Sequence, residues 1–315
     1  MRPPEELLEF FRREKKFFLA AHINPDGDAI GSSLALALAL ESIGKEAEVY
    51  DKDPVPDFYM FLPTSEKVMA SLPDSKTKIP NLILLDCGEL DRAGIKEINC
   101  GTSVVIDHHE TEKGFGDIKW IKPEAAATGI MVFYLIKELG VKITPDIATN
   151  LYTAIAIDTG TFRYSNTAPE VLRIAAELIE SGADPSLIAE NIYETWTENR
   201  LRLLLKVLNT IEIQNDVAIT IVTLDMFRET GAVVSDTENF PGFTRMLKNV
   251  NVAALFREVE KDYFKVSLRS KGRKLNVAKI AEKFGGGGHR NAAGYRVRAD
   301  FNIAKDVLLK AIKEA

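Results

Sequence analysis

A chain of 315 residues is too long for one ordinary hydrophobic core and suits two domains, and 46% hydrophobic with 27% charged residues are the proportions of a soluble globular protein. The formal net charge of −6 argues against a grip on long duplex DNA, and the longest Ala/Leu run, residues 34–40, is far too short to span a membrane. An opening Met1-Arg2-Pro3-Pro4 without the basic-then-apolar layout of a secretory signal, and two cysteines (Cys87, Cys100) in neither a metal nor a redox spacing, point to the cytoplasm.

In chain order, residues 5–13 read as a short helix and 16–21 as a buried strand ending at His22. Pro25 disfavours helix at Asn24, so 22–27 is expected as a loop at the strand's end. Residues 29–43 read as a helix: LALALAL alternates like a strand, but Ala and Leu without β-branching favour helix, and Gly44 is a good stop. A strand at 46–50 follows, then a long connection marked by Pro54, Pro56 and Pro63. Residues 82–85 form an apolar run ending on Asp86, and 103–106 repeat the design before Asp107-His108-His109. Helical patterns at 125–139 and 146–157 follow, the second leading into Asp158. Continuous apolar strands alternating with helices predict an α/β fold with a doubly wound, mainly parallel sheet. Ligands bind beyond the carboxyl ends of such strands, where His22, Asp86 and Asp107 stand.

Residues 168–181 and 185–193 look helical, and 196–211 reads as a longer helix joining two lobes. Beyond it come a strand at 217–224, an antiparallel pair at 252–259 and 263–269, and a helix at 276–284 running into Gly285-Gly286-Gly287-Gly288-His289-Arg290. A strand at 295–297 and a helix at 303–312 close the chain. The expected division is 1–194, a catalytic domain; 195–214, a helical linker; and 215–315, a smaller mixed-sheet α/β domain. Charge divides along the same line: residues 195–315 hold 21 Lys and Arg against 14 Asp and Glu, and 1–194 hold 19 against 32. An acidic lobe and a basic lobe suit a metal centre and an anionic substrate, although two differently decorated surfaces would give the same count.

The four histidines are 22, 108, 109 and 289. Three stand in carboxylate-bearing strand-end segments and the fourth follows the glycine run. Aspartates 26, 28, 86, 107 and 158 fall at predicted strand or helix ends, where any single one would be an ordinary cap or turn residue. Four or more carboxylates with two imidazoles exceed the needs of one ion. The surplus suggests two divalent cations bridged by a carboxylate, about 3.5–4 Å apart in sites of this kind.

The set His22-x-x-x-Asp26-x-Asp28, Asp86, Asp107-His108-His109 and Asp158 resembles the DHH phosphoesterase superfamily, and Gly285–Gly288 with His289-Arg290-Asn-Ala-Ala-Gly294 resembles its C-terminal DHHA1 substrate domain. The match spans essentially the whole chain and is similar in layout to the nanoRNase branch, oligoribonucleases that also act as pAp phosphatases. The resemblance implies one metal held by His22, Asp26 and Asp86 and another by Asp28, Asp86, His108 and Asp158, with two divalent ions, Mn²⁺ by preference, as cofactors. It implies that His109 contacts the scissile phosphate or protonates the leaving oxygen, that Asp107 orients a histidine, and that water is the nucleophile, with no covalent enzyme intermediate.

Substrate binding is expected from Arg269, Gly286, Gly287, Gly288, His289 and Arg290. Glycine backbone suits close approach to an anion, and arginine suits a terminal phosphate by its bidentate geometry. Thr128, opening a helix, could meet phosphate or act as a plain N-cap. Gly129 departs from the resemblance, since relatives often carry a longer polar residue there. Phe162 and Tyr164 are expected in core packing rather than stacked on a base.

The reaction implied is hydrolysis of very short RNA or linear dinucleotides to mononucleotides, with pAp as a second substrate. The basic lobe would grip one end while the metals cut a fixed distance away. A pyrophosphatase or polyphosphatase of the same superfamily is the alternative within enzymes, and a non-catalytic nucleotide sensor the alternative outside them. A homodimer through the first lobe is a further implication of the resemblance.

Overall fold

The structure, a computed structural model, describes residues 1–73, 78–109, 114–272 and 275–315. The chain forms two compact units, Met1–Thr195 and Trp196–Ala315.

The first unit runs α1 (Glu5–Arg13), β1 (Lys16–Ala20), α2 (Gly27–Ser42), β2 (Glu46–Tyr50), β3 (Ile79–Leu85), β4 (Cys100–Asp107), β5 (Ile118–Ile121), α3 (Thr128–Glu138), α4 (Pro145–Asp158), α5 (Pro169–Glu180) and α6 (Pro185–Tyr193). Its sheet has the order β2-β1-β3-β4-β5, and every pairing is parallel. Side chains alternate between two apolar layers because successive strand residues face opposite ways. Phe17, Leu19, Ile83, Leu85, Val104 and Ile106 join the core built by the helices. Phe18, Ala20, Leu82, Leu84 and Val105 pack with Cys87, Ala93 and Ile95 from the connection after β3. Burial on both faces is why these strands read as unbroken apolar runs.

The LALALAL segment is helical, within α2. Leu34, Leu36 and Leu40 are buried, and so are Ala35, Ala37 and Ala39, so this helix is wrapped nearly all round and shows no polar stripe. The helix starts at Gly27 because Asp26 caps it, its Oδ1 accepting from the N–H groups of Asp28 (3.0 Å) and Ala29 (3.1 Å). Close approach of α2 to α4 depends on Gly31, where a Cβ would lie 2.5 Å from the Asn150 carbonyl oxygen and 3.2 Å from Ala154 Cβ. Gly31→Ala is therefore expected to destabilise the first unit by about 1–3 kcal/mol through overpacking, read as a lower urea midpoint. An unchanged midpoint would show that α2 and α4 separate without cost.

The second unit runs α7 (Glu198–Leu208), β6 (Glu212–Gln214), β7 (Val217–Val222), α8 (Leu224–Thr230), α9 (Phe240–Arg245), β8 (Val252–Glu260), β9 (Tyr263–Ser270), α10 (Val277–Glu282), β10 (Gly287–His289), β11 (Ala292–Arg298) and α11 (Phe301–Lys313). Its sheet, β10-β11-β9-β8-β7-β6, is mixed: β7 and β8 are parallel and the other pairs antiparallel. The turn between β8 and β9 is Lys261-Asp262, with Asp262 in the left-handed region at φ 56°. Val252, Phe256, Val266 and Leu268 pack with α10 and α11. Leu255 and Val222 pack with Leu203, Leu204 and Val207 of α7, within the segment expected as a linker, and with Phe240 of α9. No described helix is long and apolar enough to cross a membrane.

Candidate metal centre

In the first sheet the chain goes outward from β1 to β2, then returns to the other side of β1 for β3, β4 and β5. This reversal leaves a crevice beyond the carboxyl ends of the strands at the β1/β3 boundary. His22 follows β1 there, Asp86 follows β3, and Asp107 ends β4 with His108 and His109 next. The first turn of α2 brings Asp26 and Asp28, and the last residue of α4 is Asp158. The His22–Asp26 loop is latched from outside: Asn24, at φ 54°, donates its N–H to Asp53 Oδ2 (2.7 Å), and Ile23 donates its own to the Arg92 carbonyl (2.7 Å).

Three groups of side chains able to hold a metal ion result among the described residues, one of them Asp86 with His108 and His109. His22, Asp26 and Asp86 present ligand atoms within 4.8 Å of one another, and so do Asp28, His108 and Asp158. Asp86 faces both. Its Oδ2 lies 3.2 Å from His22 Nε2 and its Oδ1 lies 3.3 Å from His108 Nε2. His108 Nε2 is also 3.1 Å from Asp158 Oδ2 and 3.7 Å from Asp28 Oδ2. The rings are oriented from behind: Nδ1 of His108 bonds the Ala125 carbonyl (3.0 Å) and Nδ1 of His22 the Ile23 carbonyl (3.1 Å), which turns each Nε2 toward the carboxylates. His109 Nδ1 bonds Asp107 Oδ1 at 2.6 Å and stands 3.7 Å from Asp86 Oδ1.

Burial, and then the crowding of charge, governs the protonation of this cluster. Burial, and then the charges of Asp86 and Asp158, push the Asp28 carboxyl well above the usual carboxylate range. Burial also raises Asp158, against the hydrogen bond with His108. Burial works against ionisation of Asp86 too, but hydrogen bonds with His108 and His22 outweigh it and hold that carboxyl well below the usual range. Burial disfavours protonation of His22, yet the Asp86 hydrogen bond and the Asp26 charge push its pKa up to about 9. His108 is raised well above its ordinary value against the same opposition, by Asp158 and Asp86. Divalent cations would relieve this arrangement, replacing protons as partners of the buried carboxylates, and imidazole with carboxylate oxygen is a donor set that first-row divalent ions favour. The residues present fit a metal centre.

The start of α3 differs from expectation in a way that explains the site. The helix begins at Thr128, three residues later than its pattern suggests, and its first N–H groups are taken by a carboxylate of the protein. Thr128 N donates to Asp28 Oδ2 (2.6 Å) and Gly129 N to Asp28 Oδ1 (2.8 Å). The Thr128 hydroxyl donates to Asp86 Oδ1 (3.0 Å). Thr128 therefore neither caps α3, whose N-cap is Ala127, nor offers its N–H to a phosphate. Glycine at 129 also has a reason here, since a Cβ would come within 2.7 Å of Ala154 Cβ on α4. Phe162 packs on the core edge-to-face with Tyr152, and Tyr164 is exposed.

In the second unit, strand register aligns Arg269 on β9 with Ala292 on β11, and Ala292 with His289 on β10, so residues 20 positions apart share one cross-strand row. The His289 side chain and residues Arg273 and Lys274 lie outside what is described. The second half of the glycine run, Gly287 and Gly288, is strand, and its packing is close: a Cβ on Gly286 would lie 2.1 Å from the Gly294 carbonyl oxygen, and one on Gly288 would lie 2.5 Å from that of Ala292. Gly286 donates its N–H to the Ala281 carbonyl, Gly287 has open space above its Cα, and Arg290 is exposed. Sequence reading missed a second row. Arg257 on β8, Lys265 on β9 and Arg296 on β11 stand directly opposite one another, on the face that also carries Arg269. None of the three has an ion-pair partner among the described residues. Burial, then the charges of Arg257 and Arg296, lower the Lys265 pKa. Directly opposed like charges are unfavourable in a sheet, and an anion is the natural relief. Basic residues at every second or fourth strand position were the available signal.

Residues 16–155 match the model of the DHH family, N-terminal domain, and residues 216–315 that of the DHHA1 domain. The chain is 38% identical over 305 residues to the bifunctional oligoribonuclease and PAP phosphatase NrnA of Thermus thermophilus, covering 96% of this chain and 90% of that one. Its identity to the Bacillus subtilis protein of the same name is 28% over 295 residues, covering 92% and 91%. Among solved structures, an exopolyphosphatase-related protein from Bacteroides fragilis is similar with a TM-score of 0.88 at 30% identity, covering 98% of this chain and 95% of that one.

Proposed function

Because the chain belongs to the DHH family and carries a DHHA1 domain, we propose that it is a metal-dependent hydrolase that cleaves very short oligoribonucleotides, linear dinucleotides above all, to mononucleotides. Removal of the 3′-phosphate of 3′-phosphoadenosine 5′-phosphate (pAp) is its second activity. The observation that carries this reading is one buried carboxylate, Asp86, directing its two oxygens at two separate donor sets. The Thermus and Bacillus relatives are named for both activities.

His22, Asp26 and Asp86 would hold one divalent ion, and Asp28, Asp86, His108 and Asp158 the other, with Mn²⁺ suited to this mixture of imidazole and carboxylate. Bound there, the ions supply Lewis acidity toward a phosphoryl oxygen and lower the pKa of water. Asp107 fixes the His109 ring through Nδ1, which leaves Nε2 as the atom that, in the doubly protonated ring, would give its proton to the leaving oxygen. Arg269, with the row Arg257, Lys265 and Arg296, supplies positive charge for the phosphates of the substrate, and the Gly287 backbone on β10 with the exposed Arg290 after it stands two strands from β9 in the same sheet.

The test is hydrolysis with Mn²⁺ of a dinucleotide, a longer RNA, pAp, pyrophosphate and polyphosphate in parallel. Dinucleotide and pAp are expected to turn over fastest. Release of phosphate from pyrophosphate or polyphosphate that outpaces both would replace this reading with its superfamily alternative. Arg269→Ala is expected to raise KM for the dinucleotide about 10–100-fold, the worth of a charge-assisted hydrogen bond of roughly 1.5–3 kcal/mol. Arg269→Lys should recover only part of the loss, since the bidentate fork is gone. An unchanged KM in the alanine variant would remove Arg269 from the substrate site.

A further inference from the structure

We infer that the Thr128 hydroxyl is a positioning group that assigns the two oxygens of Asp86 to the two donor sets, and so makes the centre a pair of ion sites rather than one. The inference rests on the two-ion reading above and deepens it.

A carboxylate turns readily about its last bond, since that torsion has a broad, two-fold profile. Bridging requires the opposite: Asp86 Oδ2 must stay with His22 and Oδ1 with His108, the arrangement observed at 3.2 and 3.3 Å. Neither imidazole can enforce it once its Nε2 lone pair is given to a cation, because the hydrogen bond to Asp86 then disappears. A neutral Thr hydroxyl is a weaker metal donor than the carboxylates and imidazoles around it, and its hydrogen bond to Oδ1, 3.0 Å, uses a proton that a cation does not displace.

Thr128 is itself held rigidly. It is fully buried, its β-branched side chain has few rotamers, and its N–H is tied to Asp28 Oδ2 at 2.6 Å. Because Asp28 rather than Thr128 meets the first N–H groups of α3, the threonine hydroxyl is released from capping and turned to Asp86. The same contacts shape Asp28. Its Oδ1 accepts from Ser32 Oγ (2.8 Å) and Gly129 N (2.8 Å), which uses both lone pairs. Its Oδ2 accepts from Thr128 N alone among these donors and keeps one lone pair, on the oxygen that faces His108. The first turn of α3 thus orients one ligand oxygen of Asp28 and one of Asp86 into the same ion site.

Calorimetric titration of chelator-stripped, full-length protein with Mn²⁺ tests this. Wild type is expected to take up two ions per chain. Thr128→Val keeps the shape and the backbone N–H but lacks the hydroxyl. It should bind one ion with wild-type affinity and the second about 10–100-fold more weakly, the usual cost of losing an outer contact to a ligand. Thr128→Ser should retain both affinities. Electron paramagnetic resonance should show a coupled Mn²⁺ pair in wild type and the serine variant, and isolated Mn²⁺ in the valine variant at matched loading. Thr128→Ala serves the same comparison if circular dichroism shows the valine protein unfolded. Two ions bound with wild-type affinity in a folded hydroxyl-free variant would overturn the role of Thr128. Fewer than two ions in wild type would instead overturn the two-ion reading.

Discussion

Asp86→Asn should still fold, with less stability because the ionised carboxylate is gone, and should lower kcat on a dinucleotide by about 10³-fold or more at saturating Mn²⁺. Several kcal/mol of transition-state charge stabilisation is assigned to ions in such sites, and each ~1.4 kcal/mol is a factor of ten. Asparagine matches aspartate in shape and tolerates the left-handed backbone of this residue, φ 58°, where most side chains are strained. Its amide has one acceptor oxygen instead of two, so it can serve one donor set and must present an N–H₂ group to the other. The loss should therefore appear in the binding isotherm as a missing ion, not only in the rate. Asp86→Ala would be a poorer probe, because it adds backbone strain to the chemical loss. Undiminished turnover by a correctly folded Asp86→Asn protein would sink the metal centre described above.

The second large effect concerns stability. Asp28, Asp158, His22 and His108 all hold protons more tightly in the folded protein than as free groups, His22 up to about 9. Asp51, buried at the end of β2, is pushed up to about 7 by burial. For a group raised on folding, the unfolded chain releases its proton first, so stability falls as pH climbs from the unfolded value through the folded one. That window opens near pH 4 for the aspartates and near 6.5 for the histidines. Asp86 runs the other way: its depressed carboxyl stabilises the fold above about pH 4, and that contribution is lost only as acid titrates it.

Chelator-treated protein should accordingly show a Tm that declines between about pH 6 and pH 8.5. Mn²⁺ binds the deprotonated ligands, so its affinity rises over the same range. Stabilisation by a ligand at about 1,000 times its Kd is roughly 4 kcal/mol, and for a unit of this size about 2–4 °C accompany each kcal/mol. The first unit should thus melt about 8–16 °C higher with Mn²⁺ at pH 8.5 and gain less at pH 6. A melting curve indifferent to ion and chelator at both pH values would contradict the clustering of protons and charges at this site.

Much of this was legible in the order of residues. Short apolar runs ending on His22, Asp86 and Asp107-His108-His109 could be placed at strand ends, because strand boundaries follow local composition and a parallel sheet presents those ends together. The turn at Lys261-Asp262 was readable for the same reason. Helix docking was not. That Asp28 meets the first N–H groups of α3, a hundred positions onward, depends on how closely α2, α3 and α4 approach at Gly31 and Gly129, and no local pattern encodes that distance. Gly287 and Gly288 lie in a short strand against β11, because the tight hairpin pairing with Ala293 and Gly294 overrides glycine's weak preference for strand. The row of Arg257, Lys265 and Arg296 was hidden likewise, since only register sets cations from three strands side by side. Local pattern thus placed the candidate histidines and aspartates at strand and helix ends. The resemblance implied their division around Asp86, but only long-range packing and register bring each group within reach, because a distance between side chains remote in sequence exists only once the helices are docked and the strands are paired.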